Sequence, residues 1–285
     1  MGIILGIGGV IFSILFGYVN HGGTLSLLWQ PNEVIIIGGA GVFTVLIGNP
    51  IYQIKMVIAA LITALKGTGI SKATYVDLLG LMASVFDTMR KEGVLGIEAD
   101  LSDPHKSARF NKFPKASHNH HLMESFTGAL RLFVDGVVSA FDLERLLDAE
   151  METDHAEHSI PSGVVSKTAD AFPALGIVAA VLGIIITMQY LDQPPQVIGG
   201  KVGAALVGTM LGVLLSYGIV GPIAGKIDAD VREHSGVVKC MKAGLVSFAG
   251  GAPPQVALEF ARKSIPPSMR PTGAELEEII KAAKK

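Results

Sequence analysis

The chain has 285 residues, of which 49% are hydrophobic and only 17% are charged, and its mean hydropathy is +0.49. A water-soluble domain carries about 25% charged residues, so this composition excludes an ordinary soluble protein. The formal net charge of -2 does not favour a nucleic-acid partner. The single cysteine, Cys240, excludes a disulfide within the chain.

Four segments are long enough and free enough of charge to cross a bilayer, which takes about 20 mostly apolar residues. These segments are Gly2–Val19, Val34–Gln53, Ala171–Leu191 and Val202–Gly225. Because the backbone inside hydrocarbon must satisfy its own hydrogen bonds, each should form a helix. The first segment has no basic region before it and no small-residue cleavage site after it, so we expect a retained span rather than a signal peptide.

The basic residues predict the orientation of these spans. No Lys or Arg precedes Lys55, and apart from Lys201 the others lie between Lys55 and Lys167 or from Lys226 onward. We therefore expect both termini in the cytoplasm and an all-α polytopic membrane protein. The expected organisation is two spans in residues 1–53, a helical cytoplasmic domain in 54–169, two spans in 170–225 and a cytoplasmic tail in 226–285.

Several segments outside the spans also have helical character. Apolar residues recur at helical spacing between residues 73 and 92, and again from Leu122 to Met151. A shorter helix is expected over Gln255–Lys263, followed by a charged end at Glu275–Lys285. The stretch His118–His121 is expected to be solvated, because neither a cysteine nor a second cluster completes a metal site.

None of the four predicted spans contains Asp, Glu, Lys, Arg or His. Ion-coupled membrane proteins place such a group at membrane depth because it binds and releases the ion. Either the chain transports nothing, therefore, or a partner helix supplies the carboxylate. The residue spacing supports no phosphate-binding loop, dinucleotide fingerprint or catalytic triad. We accordingly expect no enzymatic activity, no metal and no organic cofactor.

Small residues recur every four positions just before and within the fourth predicted span, where they predict one smooth helix face. They are Gly200, Ala204, Gly208, Gly212 and Ser216, and Gly176 lies on a similar face of the third span. Such faces let helices approach closely. Packing within the chain is the ordinary interpretation, and a surface that lines a path or contacts another subunit is the alternative.

A few polar groups and two prolines lie near these faces. The polar groups are Thr187, Thr209, Ser216 and Tyr217. Pro173 opens the third predicted span, where a first-turn proline is tolerated. Pro222, near the inner end of the fourth, is expected to bend or end that helix.

The third and fourth predicted spans resemble those of the MotA family of bacterial flagellar stator subunits. The similarity lies in the runs Asp170–Val181, Val207–Gly212, Ser216–Gly218 and Gly221–Pro222. Further similar segments occur in the same order along nearly the whole chain: Gln30–Glu33, Tyr75–Leu81, Phe141–Glu152 and Ala252–Arg262.

The resemblance implies a stator subunit of the bacterial inner membrane, in which a homopentameric ring surrounds two copies of MotB. The single span of MotB carries an aspartate, and protons would cross to the cytoplasm between the two proteins while the ring turns the rotor protein FliG. Pro173 and Pro222 are then implied in coupling ion flow to movement, and Thr209 and Ala180 would lie beside the MotB aspartate. The remaining candidates for lining the ion path are Thr187 and Tyr217.

On the cytoplasmic side, the resemblance assigns Arg90 and Glu98 to the contact with FliG, and Glu150 is a candidate for the same surface. The alanine at position 180 is similar to the residue in proton-driven members of the family, whereas sodium-driven relatives tend to carry threonine at the position of Ala180. Three alternatives stay open. They are a sodium-driven stator like PomA, a three-span energiser like ExbB or TolQ, and a membrane scaffold that conducts no ions.

Overall fold

The computed structural model describes residues 2–283, and all regular structure in that range is helical. The first helices are α1 (Gly2–Asn20), α2 (Leu25–Leu28), α3 (Pro31–Gly48), α4 (Ile51–Lys66), α5 (Lys72–Glu92), α6 (Glu98–Ser102) and α7 (Pro114–Ser117). The remaining helices are α8 (His120–Val134), α9 (Ala140–His158), α10 (Ile160–Thr187), α11 (Pro195–Val213), α12 (Gly221–Ala249), α13 (Pro254–Ser264) and α14 (Gly273–Ala283). Between α11 and α12 the chain forms a π-helical turn, Leu214–Val220. The expected all-α class is confirmed.

The chain divides into two compact units, each built from two separate segments. The membrane unit comprises residues up to Gly67 and the segment His158–Asp230. The polar unit comprises Thr68–Glu157 and the residues from Val231 onward. Each unit thus brings together parts of the chain that are far apart in sequence.

Four helical stretches within residues 2–283 are long and apolar enough to cross a bilayer, as expected. They are Gly2–Asn20 and Leu25–Gly48, together with parts of the longer stretches Ala140–Met188 and Pro195–Ala249. In the membrane unit α3 packs against α10 through a small cluster of Ile37, Phe172 and Ala179. A β-carbon on Gly41 would lie 2.6 Å from the Phe172 ring, so the glycine allows this close approach.

Three of the predicted spans have boundaries that differ from the expectation. The fourth was expected to run from Val202 to Gly225, but its helix begins at Pro195 and the helical stretch continues to Ala249. The second was expected to reach Gln53, but α3 ends at Gly48 and α4 starts after Pro50, which has no backbone N–H to continue the helix. The third was expected to begin at Ala171, but α10 begins at Ile160. Apolar length marks only the part of a helix that can lie in hydrocarbon, and polar turns extend α10 beyond it.

In the polar unit most residues of α5 are buried, and this helix carries six of the twelve largest fully buried side chains of the described residues. These are Tyr75, Leu78, Leu79, Leu81, Met82 and Phe86. Phe86 stacks on Phe248 of α12 with ring centroids 4.2 Å apart. Lys72 of α5 hydrogen-bonds Glu275 of α14 at 2.6 Å, and this bond contributes most to lowering the pKa of Glu275 to about 2. Glu275 belongs to the charged end of the chain, which α14 makes helical as far as Ala283. Lys284 and Lys285 lie outside the described residues.

The single helical pattern expected from Leu122 to Met151 forms two helices. The first, α8, ends at Val134, and the second, α9, begins at Ala140. Gly136 lies between them with φ +66°, a conformation that favours glycine and ends a helix. The helix expected over Gln255–Lys263 is confirmed as α13.

Candidate functional site

The closest helix contact in the membrane unit joins α10 and α11 through glycines. A β-carbon on Gly176 would lie 2.8 Å from the carbonyl oxygen of Gly208, and one on Gly212 would lie 2.5 Å from the carbonyl oxygen of Phe172. Further along the same contact, a β-carbon on Gly183 would lie 2.6 Å from that of Ala205. Any larger side chain would separate the two backbones, so the small residues set the spacing of this face.

Two of the small residues expected on this face lie elsewhere. Gly200 is exposed, and a β-carbon there would meet no atom within 4 Å. Ala204 is only half-buried, whereas its neighbour Ala205 is 2% exposed. Each four-residue step along an α-helix turns about 40° past a full circle, so a four-residue stripe leaves the contact within two steps of Gly208.

A carboxylate lies against this glycine contact, contrary to the expectation that the spanning helices carry no acidic or basic side chain. Glu33 belongs to the first turn of α3 and is 8% exposed. A β-carbon on Gly208 would lie 2.6 Å from its Oε2, and one on Gly183 would lie 3.7 Å from its Oε1. Among residues 2–283, Oε2 has no hydrogen-bond partner. A buried acceptor without a partner carries a desolvation cost, so this carboxylate is a strong candidate for an ion-handling group.

The sequence contains a signal that could have placed Glu33 inside the helix. Pro31 occupies the first position of α3, where proline is favoured, and an acidic residue is favourable in a first helical turn. The second span was expected to begin at Val34, so Pro31 and Glu33 were placed in the connection before it instead of in the first turn of α3.

The hydroxyl groups predicted near these faces have different environments. Thr187 is 1% exposed and donates to the carbonyl of Gly183 at 2.8 Å. Ser216 is also 1% exposed, and its Oγ has no partner within the described residues. Thr209 and Ala180 are half-buried, whereas Tyr217 is 72% exposed. Of these groups, only the Ser216 hydroxyl is both buried and unpaired.

The two prolines also lie where the sequence alone did not put them. Pro173 was expected in a first turn, but it lies well inside α10. Because proline has no N–H, the carbonyl of Ala169 loses its usual helical donor. Pro222 was expected to bend or end the fourth span, and it does not end the span, since the chain remains helical there. Pro222 is the second residue of α12, directly after the π-helical turn.

In the polar unit, the expected rotor-contact residues lie at the surface. Arg90 is in the last turn of α5, Glu98 begins α6, and both are exposed. Arg90 also borders a cavity of about 480 Å³ whose other lining residues are mostly apolar, including Phe133 and Phe248. Within the described residues, Arg90 and Glu98 form no ion pair with each other. Both charges are therefore available to another molecule.

The histidine stretch is only partly the solvated connection that was expected. His120 and His121 form the start of α8, and Nε2 of His121 lies 2.5 Å from Oδ1 of Asp154 in α9. This hydrogen bond raises the pKa of His121, and the charges of Glu150 and Glu124 add to the effect. Glu150 is half-buried beside this pair.

Comparison with known families decides which protein class this geometry represents. Residues 4–93 match the family model "Motility protein A N-terminal", and residues 116–239 match the MotA/TolQ/ExbB proton channel family. The chain belongs to the motility protein A family. It is 35% identical to motility protein A of Escherichia coli (strain K12) over 99% of this chain and 96% of that protein. It is also 34% identical to chemotaxis protein LafT of Vibrio parahaemolyticus, over 97% of each.

Solved structures of motility protein A complexes share this fold. The structure described as C. jejuni MotAB matches with a TM-score of 0.79 at 19% identity, covering 95% of this chain and 98% of that chain. The flagellar MotAB stator complex from Bacillus subtilis matches with a TM-score of 0.74 at 23% identity, covering 90% and 92%. The expected function of a flagellar stator subunit in a proton channel family is confirmed by the family matches. A stator of a proton channel family does not belong to an enzyme class, and none of the matches given above favours the sodium-driven alternative.

Proposed function

We propose that the chain forms the outer part of a proton-driven stator, as a homopentameric ring around two copies of MotB. The full-length similarity to motility protein A carries this proposal, and the titles of two similar structures describe complexes with MotB. The excess of basic residues between Lys55 and Lys167 and after Lys226 supports an inner-membrane orientation with both termini in the cytoplasm.

The proton path in this proposal runs along the face where α3, α10 and α11 meet. This face presents glycine backbone, the hydroxyl of Thr209 and the buried carboxylate of Glu33. The MotB aspartate would lie beside Thr209 and Ala180, both of which are half-buried. Thr187 and Tyr217 are further candidates for lining the path. Glu33 accepts the proton first and passes it toward the partner's acid, because its Oε2 is buried and unpaired.

Neutralising a buried charge supplies the driving force for movement. An ionised carboxylate in apolar surroundings carries a desolvation penalty of several kcal/mol. One charge that falls through 100 mV of membrane potential releases about 2.3 kcal/mol. These magnitudes are comparable, so each protonation of the MotB aspartate can favour one step of the ring. Pro173, inside α10, provides the flexible point at which such a step bends the helix.

Torque reaches the rotor through exposed charges of the polar unit. Arg90 and Glu98 are exposed, and exposed charges give steering and register more than tight binding. A contact of this kind suits a ring that must engage and release FliG repeatedly. Glu150 is a candidate for the rim of the same surface.

Co-expression with MotB tests the proposal. A motility-deficient strain that lacks both genes should swim only when this chain and MotB are supplied together, and vesicles containing the pair should take up protons. Proton uptake by the purified chain alone would contradict the shared path. Assembly with MotB but no flux, even when the motor is engaged, would identify a scaffold. Rescue of swimming that depends on sodium rather than on the proton gradient would identify the sodium-driven alternative.

A further inference from the structure

An apolar groove of about 460 Å³ lies in the membrane unit at the end where α1 begins and α4 ends. Ile3, Ile7 and Val10 of α1 line one side, and Ile219 and Ile223 line the other. The three α1 residues are half-buried, although no residue of α1 is fully buried. This face of α1 therefore points into the groove without filling it.

Two lysines lie at the same groove. Lys66 is the last residue of α4, and Lys226 is in the second turn of α12. The ammonium of Lys226 hydrogen-bonds Asp230, whereas Lys66 has no acidic partner within residues 2–283. Because Asp230 balances one lysine, one positive charge remains beside the apolar walls.

We propose that this groove binds one anionic phospholipid, with its acyl chain along α1 and its phosphate at Lys66 and Lys226. The apolar walls match an acyl chain, and the remaining positive charge matches a headgroup with a single phosphate. Basic pockets at the ends of spanning helices bind anionic headgroups in this way. A bound acyl chain would also attach α1 to the rest of the membrane unit, since α1 buries no residue of its own. This inference rests on the insertion of the chain in a membrane, and it does not depend on whether the chain generates torque.

The charge of Lys66 can be tested on the full-length protein co-purified with MotB in mild detergent. Mass spectrometry of the retained lipid should show phosphatidylglycerol enriched over phosphatidylethanolamine, relative to the source membrane. Lys66→Gln should lower this enrichment about fivefold, the contribution of one lysine near a lipid surface. Lys55→Gln is the matched control, because Lys55 is exposed on the same helix but does not line the groove.

The role of the apolar part of the groove is tested by a substitution that fills it. Gly6 lines the groove, and a β-carbon there would meet no atom within 4 Å. Gly6→Leu should therefore occupy the groove without a clash and remove the bound phospholipid. Gly9→Leu is the control, since Gly9 has equally open space on α1 but does not line the groove.

Three results would overturn the proposal. The first is equal retention of the two phospholipids by the unmodified protein. The second is loss of phosphatidylglycerol in Lys66→Gln but full retention in Gly6→Leu, which would show a phosphate site without an acyl chain. The third is a changed oligomer mass in Gly6→Leu with no lipid enrichment in the unmodified protein, which would show that another copy of the chain fills the groove.

Discussion

Glu33 and Gly208 fit together so closely that a β-carbon on the glycine would lie 2.6 Å from Oε2 of the carboxylate. The carboxylate of α3 thus occupies space that exists only because α11 has a glycine at this point. The oxygen concerned has no hydrogen-bond partner among residues 2–283. Packing alone does not account for a buried, unpaired acceptor, because an apolar side chain of similar size would avoid its desolvation cost.

Substituting the glycine should disturb this arrangement. We expect Gly208→Ala to lower stability by about 1–3 kcal/mol, the usual cost of overpacking, and to reduce swimming speed. Gly199→Ala is the control on the same helix, because a β-carbon at Gly199 meets no atom within 4 Å. It should be neutral or stabilising by up to about 1 kcal/mol, since alanine favours helix more than glycine does. Thermal unfolding of the purified complex and swimming speed are the measurements, and equal effects of the two variants would contradict the close fit.

Removing the charge of Glu33 should separate conduction from folding. Glu33→Gln keeps the size of the side chain, so we expect normal assembly and an unfolding temperature that does not fall. Proton uptake and motility should be lost, because the amide cannot exchange a proton. Asp192→Asn, an exposed residue between α10 and α11, is the control and should swim normally. Normal proton flux in Glu33→Gln would remove Glu33 from the proposed path.

Replacing Pro173 should raise the stability of the protein and lower its torque. Pro173→Ala restores a donor for the carbonyl of Ala169, and proline inside a helix costs about 3 kcal/mol relative to alanine. We expect a higher unfolding temperature together with reduced torque, measured as the rotation speed of tethered cells. Pro195→Ala at the first position of α11 should change neither quantity much. A variant Pro173→Ala that is more stable and rotates normally would show that the proline does not couple ion flow to movement.

The pair of His121 and Asp154 should make the stability of the polar unit depend on pH. The hydrogen bond to Asp154 raises the pKa of His121 above its ordinary value. A raised pKa means that the pair stabilises the folded state fully below the unfolded pKa of about 6.5. That contribution is lost as the pH rises through the raised value. The drop in unfolding temperature caused by His121→Gln should therefore be larger at about pH 6 than at about pH 8.5, and an equal drop at the two pH values would contradict this role of the pair.

Charge reversal tests the proposed rotor surface. Arg90→Glu should abolish swimming without loss of membrane assembly, because it places a repulsive charge at a contact that depends on electrostatic register. A compensating reversal on FliG should restore part of the torque. Lys115→Glu, an exposed cation in the same unit, is the control for a general effect of charge. Assembly and swimming are read from membrane fractions and from tracked cells.

The apolar segments predicted the four spans because length and lack of charge are direct requirements of the bilayer. The same criterion missed the beginning of α10 at Ile160, since polar turns of that helix lie outside the apolar run. The small-residue stripe correctly included Gly176, Gly208 and Gly212, whose backbones approach closely. It could not show that Gly200 turns away, which depends on the drift of a four-residue period around a helix. Glu33 was missed because its burial is created by glycines of two other helices.

The π-helical turn at Leu214–Val220 joins α11 and α12 so that the two helices present different faces to their neighbours. One additional residue in that turn shifts the angular position of everything after it by about 100°. Before the turn, Gly208 and Gly212 face α10, and after it Ala224 and Ile227 pack with Val57 of α4. A return of this turn to regular α-helix would rotate the residues after it by about 100° about the helix axis and so separate Ala224 from its present packing position.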